Sequence, residues 1–264
     1  MKKLRKVLIA FLLLVLVCSS ISLTLCVVDY YRTLAKIDTI KKLSQKTSKE
    51  KEPGKSLVLP GSEGCDMPSS ERAVLPELQA MYELNGDFAG WLEIENTLIS
   101  YPVMQNPEDP EYYLGHDFNG IEDKNGLPFL DAQCSPEQSG VLLIHGHNMK
   151  SGLIFGQLKK YKDEAYYREH PVIRFSSLYE SGDYEIIAVV LSQVYQKSNT
   201  VFKYYQLGNT GTQPGFDSYV QSIKALALYE TGLTGQYGDK LLVLSTCDSW
   251  TQNGRLAVVA RKMP

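Results

Sequence analysis

Leu241-Leu-Val-Leu-Ser-Thr-Cys247 is an apolar run that ends in a cysteine, and it is followed by Asp248-Ser-Trp-Thr-Gln-Asn-Gly254 and then by Arg255-Leu-Ala-Val-Val-Ala260. Two short apolar runs rich in Leu and Val, separated by polar turn residues, read as buried strands. Asn253-Gly254 is a turn signal. If the runs pair as an antiparallel hairpin, Cys247 and Arg255 come to the same end of the sheet. A cysteine there, at a strand end leading into a polar loop, can meet a substrate while its backbone is held rigid. Two bland alternatives stand beside this reading. Free cysteine is commonly a small buried hydrophobe, and an arginine at a strand start is commonly a surface charge.

Working back along the chain, the same pattern repeats. Val141-Leu-Leu-Ile-His145, Val172-Ile-Arg-Phe175, Tyr184 to Val194 and Leu127-Pro-Phe-Leu130 read as strands, and Trp91 to Met104 as two more, broken at Glu95-Asn96. Leu78, Met81 and Tyr82 have helical spacing, ended by Asn85-Gly86. Leu153 to Tyr161 reads as a short helix, and Phe216 to Tyr229 carries a helical stripe at Tyr219, Val220, Ile223, Leu226 and Ala227. Many short strands with few helices predict a mainly β fold, a barrel or sandwich with helical decorations.

The chain has 264 residues, 44% of them hydrophobic and 22% charged, which excludes a disordered or collagen-like protein. Its net charge of −3 conceals an asymmetry: residues 1–60 hold 12 Lys and Arg against 4 Asp and Glu, residues 61–264 hold 15 against 26. An acidic globular part argues against a nucleic-acid partner, since phosphate binding wants a basic face. The basic end begins Met1-Lys-Lys-Leu-Arg-Lys6 and continues with 22 uncharged residues, Val7 to Val28. Such a run spans about 33 Å as a helix, enough for the hydrocarbon core of a bilayer, and it is longer than the apolar part of a cleaved signal. Neither Cys18 nor Cys26 follows the small residue of a lipoprotein signal. We therefore expect a cytoplasmic basic segment (1–6), a single transmembrane anchor (7–28), an extracytoplasmic stalk and linker (29–72) and one globular domain (73–264) facing outward.

Outside the anchor remain Cys65, Cys134 and Cys247, an odd number, so at least one thiol is left without an intramolecular partner. A catalytic thiol wants a histidine, whose ordinary pKa lies near neutrality. His116 and His170 read as solvent-facing. His145 and His147 flank Gly146 at the end of an apolar strand. Two histidines two apart could also ligate a metal, but no Cys-x-x-Cys or His-Glu-x-x-His pattern accompanies them, and no phosphate loop or Gly-x-Ser-x-Gly elbow occurs. Neither metal nor organic cofactor is expected.

Taken together, Ile144-His-Gly-His-Asn-Met-Lys150 with Phe155-Gly-Gln-Leu-Lys-Lys-Tyr161, Leu244-Ser-Thr-Cys247, and Asn253-Gly-Arg-Leu-Ala-Val-Val259 resemble the histidine, cysteine and arginine motifs of class B sortases, in the family's order. Tyr101-Pro-Val-Met-Gln105, Tyr112-Tyr-Leu114 and Phe129-Leu-Asp131 resemble that class too. The chain departs at Pro110, where members often carry Asn near the substrate groove. The resemblance implies a closed sortase-type β-barrel with N-terminal helices and a long helix before the cysteine strand. It implies Cys247 as nucleophile, His147 as proton carrier and Arg255 as oxyanion or substrate clamp. The implied reaction cleaves an Asn/Ser-Pro-x-Thr-Gly/Asn-type sorting signal of a secreted protein through a thioester. The acyl group then passes to an amine of peptidoglycan precursor or cross-bridge. A pilus-assembling sortase using a pilin lysine would share every one of these residues, and a membrane-tethered binding module with a structural Cys247 is the alternative from another class.

Overall fold

The computed structural model describes residues 2–50 and 73–264. Residues 51–72, which include Cys65 and most of the expected linker, lie outside them. Helix α1 (Lys2–Glu50) is continuous over 49 residues, so the first part of the stalk is helical. Residues 3–28 are exposed on every side, and the stretch 3–42 is long and apolar enough to cross a membrane. Two of its hydroxyls bond within the helix: Ser20 Oγ donates to the Leu16 carbonyl and Thr24 Oγ1 to that of Ser20, both at 2.9 Å. That is the arrangement a polar side chain needs in hydrocarbon.

In the globular unit, strands β1 (Phe88–Glu93), β2 (Ser100–Met104), β3 (Phe129–Leu130), β4 (Val141–His145), β5 (Val172–Ser177), β6 (Ser181–Gln193), β7 (Leu241–Cys247) and β8 (Gly254–Lys262) close into a barrel. Around it they run β1-β2-β3-β4-β7-β8-β6-β5, which is the closed barrel the resemblance implies. Closure leaves no sheet edge unpaired. Most neighbours are antiparallel, but β2 and β3 run parallel where Met104 meets Phe129, and so do β4 and β7, Val141 opposite Leu241 through His145 opposite Ser245. A parallel pair needs a long crossover, and here it contains β5, β6 and a helix, α4 (Gln213–Ala225). The Leu-Val run of β7 is buried from Leu241 to Thr246; each such Leu or Val contributes about 1.5–3 kcal/mol. Helix α4 starts at Thr212, whose hydroxyl accepts from the Gly215 N–H, and buries Phe216, Tyr219, Val220 and Ile223. A shorter helix, α2 (Pro76–Leu84), precedes β1 and buries Leu78 and Met81.

Two expectations change. Leu153 to Tyr161 is not a helix: turns lead into a single 3-10 segment at Leu158–Lys162. Leu153, Ile154, Phe155, Leu158 and Tyr161 are all buried, so their spacing reflects core filling by a loop. Ile154 takes a left-handed φ of 53°, and its N–H is claimed by the Tyr101 hydroxyl at 2.9 Å. The helical stripe from 216 also stops early, at Ala225, because Ala227 bridges to Val190 of β6. A short helix, α3 (Glu164–Glu169), capped by Asp163, is additional.

Candidate active site

The hairpin β7–β8 places Cys247 and Arg255 directly opposite each other in register. The chain turns between them through Asn253, at φ 56°, a conformation that asparagine tolerates better than most residues. Asp248 fastens the turn. It is buried, its carboxylate accepts from Lys162 Nζ at 2.7 Å and from the Trp250 N–H at 2.9 Å, and Trp250 Nε1 donates to the Ser192 carbonyl at 2.9 Å. Cys247 is the one exposed residue of β7, held by a strand whose preceding six residues are buried.

His147 lies two residues beyond the end of β4, and hydrogen bonds lace that segment to the cysteine strand. The Gly146 N–H donates to the Ser245 carbonyl at 3.1 Å. Thr246 Oγ1 donates to the Gly146 carbonyl at 2.7 Å, and Asn148 Nδ2 to the Cys247 carbonyl at 2.8 Å. Glycine is required between the two histidines by space: a Cβ there would stand 2.7 Å from the Phe155 ring. His147 Nε2 lies 2.9 Å from the Leu114 carbonyl. A carbonyl can only accept, so Nε2 carries a proton and Nδ1 is the nitrogen left for proton exchange.

Cys247, His147 and Arg255 line one cavity of about 460 Å³. Arg255 is half-buried, and among the described residues its one hydrogen bond is Nη1 to the Gly254 carbonyl at 3.0 Å, so most of its donors are uncommitted. Pro110 also lines the cavity, where a prolyl ring offers no side-chain donor. Below the mouth, the Tyr204 hydroxyl and Ser245 Oγ share a hydrogen bond of 2.7 Å. Burial pushes the Tyr204 phenol up to about 12, although the Ser245 bond and the Arg255 charge pull the other way.

The remaining candidates sit elsewhere or do other work. His116 stacks flat on Tyr112 at 3.8 Å, with Nδ1 2.7 Å from the Tyr112 carbonyl. His170 packs on Tyr166 at 4.4 Å. Both are half-buried and engaged, unlike the solvent-facing side chains expected. His145 lines the cavity but pairs with Asp131, Nε2 to Oδ2 at 2.9 Å. Sequence reasoning gave Asp131, Ser245 and Tyr204 no role. Asp131 stands just after β3 in a motif that was noticed, whereas nothing local marked Tyr204, 41 residues before its partner. Cys134 is buried; its sulfur accepts from the Leu143 N–H at 3.3 Å and lies 3.5 Å from the Val141 carbonyl. Among the described residues no group of three or more His, Cys, Asp or Glu could hold a metal ion.

Comparison with known proteins agrees with this geometry. Residues 92–263 match the family model described as the Sortase domain. Sortase B of Listeria monocytogenes is 32% identical over 188 residues, covering 70% of this chain and 73% of that protein. Sortase B of Staphylococcus aureus is 22% identical over 199 residues, covering 75% and 78%. The crystal structure of sortase B from Bacillus anthracis aligns with a TM-score of 0.68 at 26% identity, over 89% of this chain and 98% of that one. A closed barrel whose cysteine and arginine strands pair beside a histidine segment, matched along most of its length to these relatives, places the chain in the sortase family, as a cysteine transpeptidase of the sortase B type.

Proposed function

We propose that Cys247, His147 and Arg255 perform the transpeptidation, on sorting signals of the Asn/Ser-Pro-x-Thr-Gly/Asn type, and that the acceptor is a peptidoglycan amine. The observation that carries this reading is the juxtaposition in one cavity of an exposed strand-end thiol, an arginine opposite it in register and a histidine laced to the same strand. Amide cleavage needs a nucleophile, an acid for the departing amine and stabilisation of the oxyanion. The Cys247 thiolate attacks the threonyl carbonyl carbon, and negative charge moves to its oxygen. Arg255, permanently charged and with several free donors, bonds that oxygen. As the tetrahedral species collapses, the C–N bond breaks and the His147 imidazolium protonates the amine at Nδ1. Neutral His147 then takes a proton from the incoming amine, which attacks the thioester carbonyl and expels the thiolate. The ion pair is restored, and no cofactor is consumed.

The same proposal makes the apolar helix α1 a membrane anchor with its basic end inside, so that the barrel meets secreted substrates and wall precursors outside. The test is incubation of the full chain, in detergent, with a library of sorting-signal peptides and primary amines, reading both the released C-terminal fragment and the new amide. Ligation confined to peptides of the stated type supports the proposal. Cleavage of peptides without regard to that pattern, or hydrolysis that no amine diverts, contradicts it.

A further inference from the structure

One ionisable pair in the catalytic cavity has no part in the chemistry above. Asp131 and His145 both line the cavity that holds Cys247, and their side chains are 19% and 27% exposed. The carboxylate is rigidly held. The Asp131 N–H donates to the Leu143 carbonyl at 2.8 Å, and the Asp131 carbonyl accepts from Gln105 Nε2 at 3.2 Å. Its Oδ1 accepts from the Gln133 N–H at 2.9 Å and from Gln133 Nε2 at 3.1 Å, and its Oδ2 accepts from His145 Nε2. Burial pushes the Asp131 carboxyl up, but the His145 and Gln133 bonds outweigh it and hold it below the ordinary carboxylate range. An ionised carboxylate offers about four acceptor positions. Among the described residues three are occupied, which leaves one open on a side chain that lines the cavity.

A preorganised anion of this kind suits a cationic partner. The specified positions of the sorting signal, Asn or Ser, Pro, Thr and Gly or Asn, are uncharged, and Arg255 already serves the carbonyl oxygen. The acceptor is the substrate that arrives charged, because a primary amine is an ammonium ion at neutral pH. We propose that the Asp131 carboxylate, oriented by His145 and Gln133, is the subsite that binds the ammonium group of the acceptor and so selects cationic amines over neutral nucleophiles; this rests on the transpeptidation proposed above. The bound R–NH3+ gives one proton to solvent, the freed lone pair attacks the thioester carbon as the C–S bond breaks, and neutral His147 takes the second proton from the attacking nitrogen. The product is the amide, with thiolate and imidazolium left behind and one proton released to water.

The experiment follows acyl-enzyme turnover of the full chain with two nucleophiles, glycinamide, which is cationic at neutral pH, and hydroxylamine, which is not. The readout is the ratio of kcat/KM for the two, in the native protein, in Asp131→Asn, in Asp131→Glu and in Glu111→Gln, since Glu111 is the other carboxylate of the cavity lining. We expect Asp131→Asn to lower the ratio about tenfold through the KM for glycinamide, as loss of a charge pair does, and Asp131→Glu to restore part of it. A ratio unchanged in Asp131→Asn, equal loss with both nucleophiles, or a loss that follows Glu111→Gln instead would overturn the proposal. Should Asp131→Asn fail to fold, ionic strength decides in the native protein. Added salt must raise the KM for glycinamide and leave hydroxylamine nearly unaffected, and an equal response of the two overturns the subsite. If the native protein releases no C-terminal fragment from any sorting peptide, the transpeptidation reading itself fails and takes this subsite with it, whereas release with an unchanged ratio overturns the subsite alone.

Discussion

Two cysteines of the barrel, Cys247 and Cys134, share a chemistry and have opposite surroundings. Cys247 ends a buried strand and stands exposed at the rim of a cavity, facing Arg255 across the hairpin. Cys134 sits in the turn between β3 and β4, buried, with its sulfur enclosed by the backbone of β4. Burial pushes its thiol up to about 12; the Leu143 N–H offsets this only in part, and the Asp131 charge adds to it. Reactivity belongs to the thiolate, so at neutral pH Cys134 is an inert packing group. What separates the two is where the sheet ends. β7 runs out of cover at its seventh residue, whereas Cys134 is buried in a turn whose preceding residues Ala132 and Gln133 are exposed.

The largest test of that contrast is removal of each sulfur. Cys247→Ala should abolish both peptide cleavage and ligation. Cys134→Ala should keep most activity and lose about 1–2 kcal/mol of stability, because the Leu143 N–H is left without its acceptor. Denaturant melts and a fragment-release assay on both variants check the pair, and activity surviving in Cys247→Ala would break the comparison.

The two histidines beside Gly146 sharpen it further. His147→Ala should lose about 10²–10⁴ in kcat, since no other group delivers a proton to the amine. His145→Ala should act mainly on stability and on substrate fit, through the loss of its bond to Asp131. Steady-state kinetics on both variants rank them, and the reverse ranking would exchange their roles.

Arg255 should depend on geometry more than on charge. Arg255→Lys is expected to fall almost as far as Arg255→Ala, about 10²–10³ in kcat, because an ammonium cannot reproduce the planar fork. A clamp acting on bound substrate alone would raise KM and spare kcat. Near-native turnover in Arg255→Ala would remove it from the site.

Smallest is a pH effect on stability. In the unfolded chain Cys134 titrates in the ordinary thiol range, about 8.5, whereas in the fold it holds its proton to about 12. Between these values the unfolded state gives up a proton that the folded state keeps, so stability should fall as pH rises through that window. Below it the effect should vanish. Melts of Cys134→Ser, which carries no thiol at that position, should lack this contribution, and an identical slope in the native protein and the variant would contradict it.

Much of this is legible in the sequence. Leucine and valine runs bounded by turns marked the β7–β8 hairpin, and Asn253-Gly254 fixed which end of it Cys247 and Arg255 share. The apolar N-terminal run was plain from composition. Loops were harder to read. The apolar spacing of Leu153 to Tyr161 mimics a helix, but those residues fill the core from irregular backbone, in which a tyrosine hydroxyl accepts the N–H of Ile154 at its left-handed φ. The partners of the site were hidden for another reason. Asp131, Leu114 and Tyr204 reach the cavity only because the barrel closes, and contacts made across 14, 33 and 41 residues of chain leave no local pattern.

The most direct measurement of the central claim is intact-protein and peptide mass spectrometry of the full chain mixed with a sorting peptide and quenched in acid before an amine is added. The account predicts one acyl adduct, on Cys247, discharged when amine is supplied and absent in Cys247→Ala. An adduct on any other residue, or cleavage without an adduct that any amine can discharge, would contradict it.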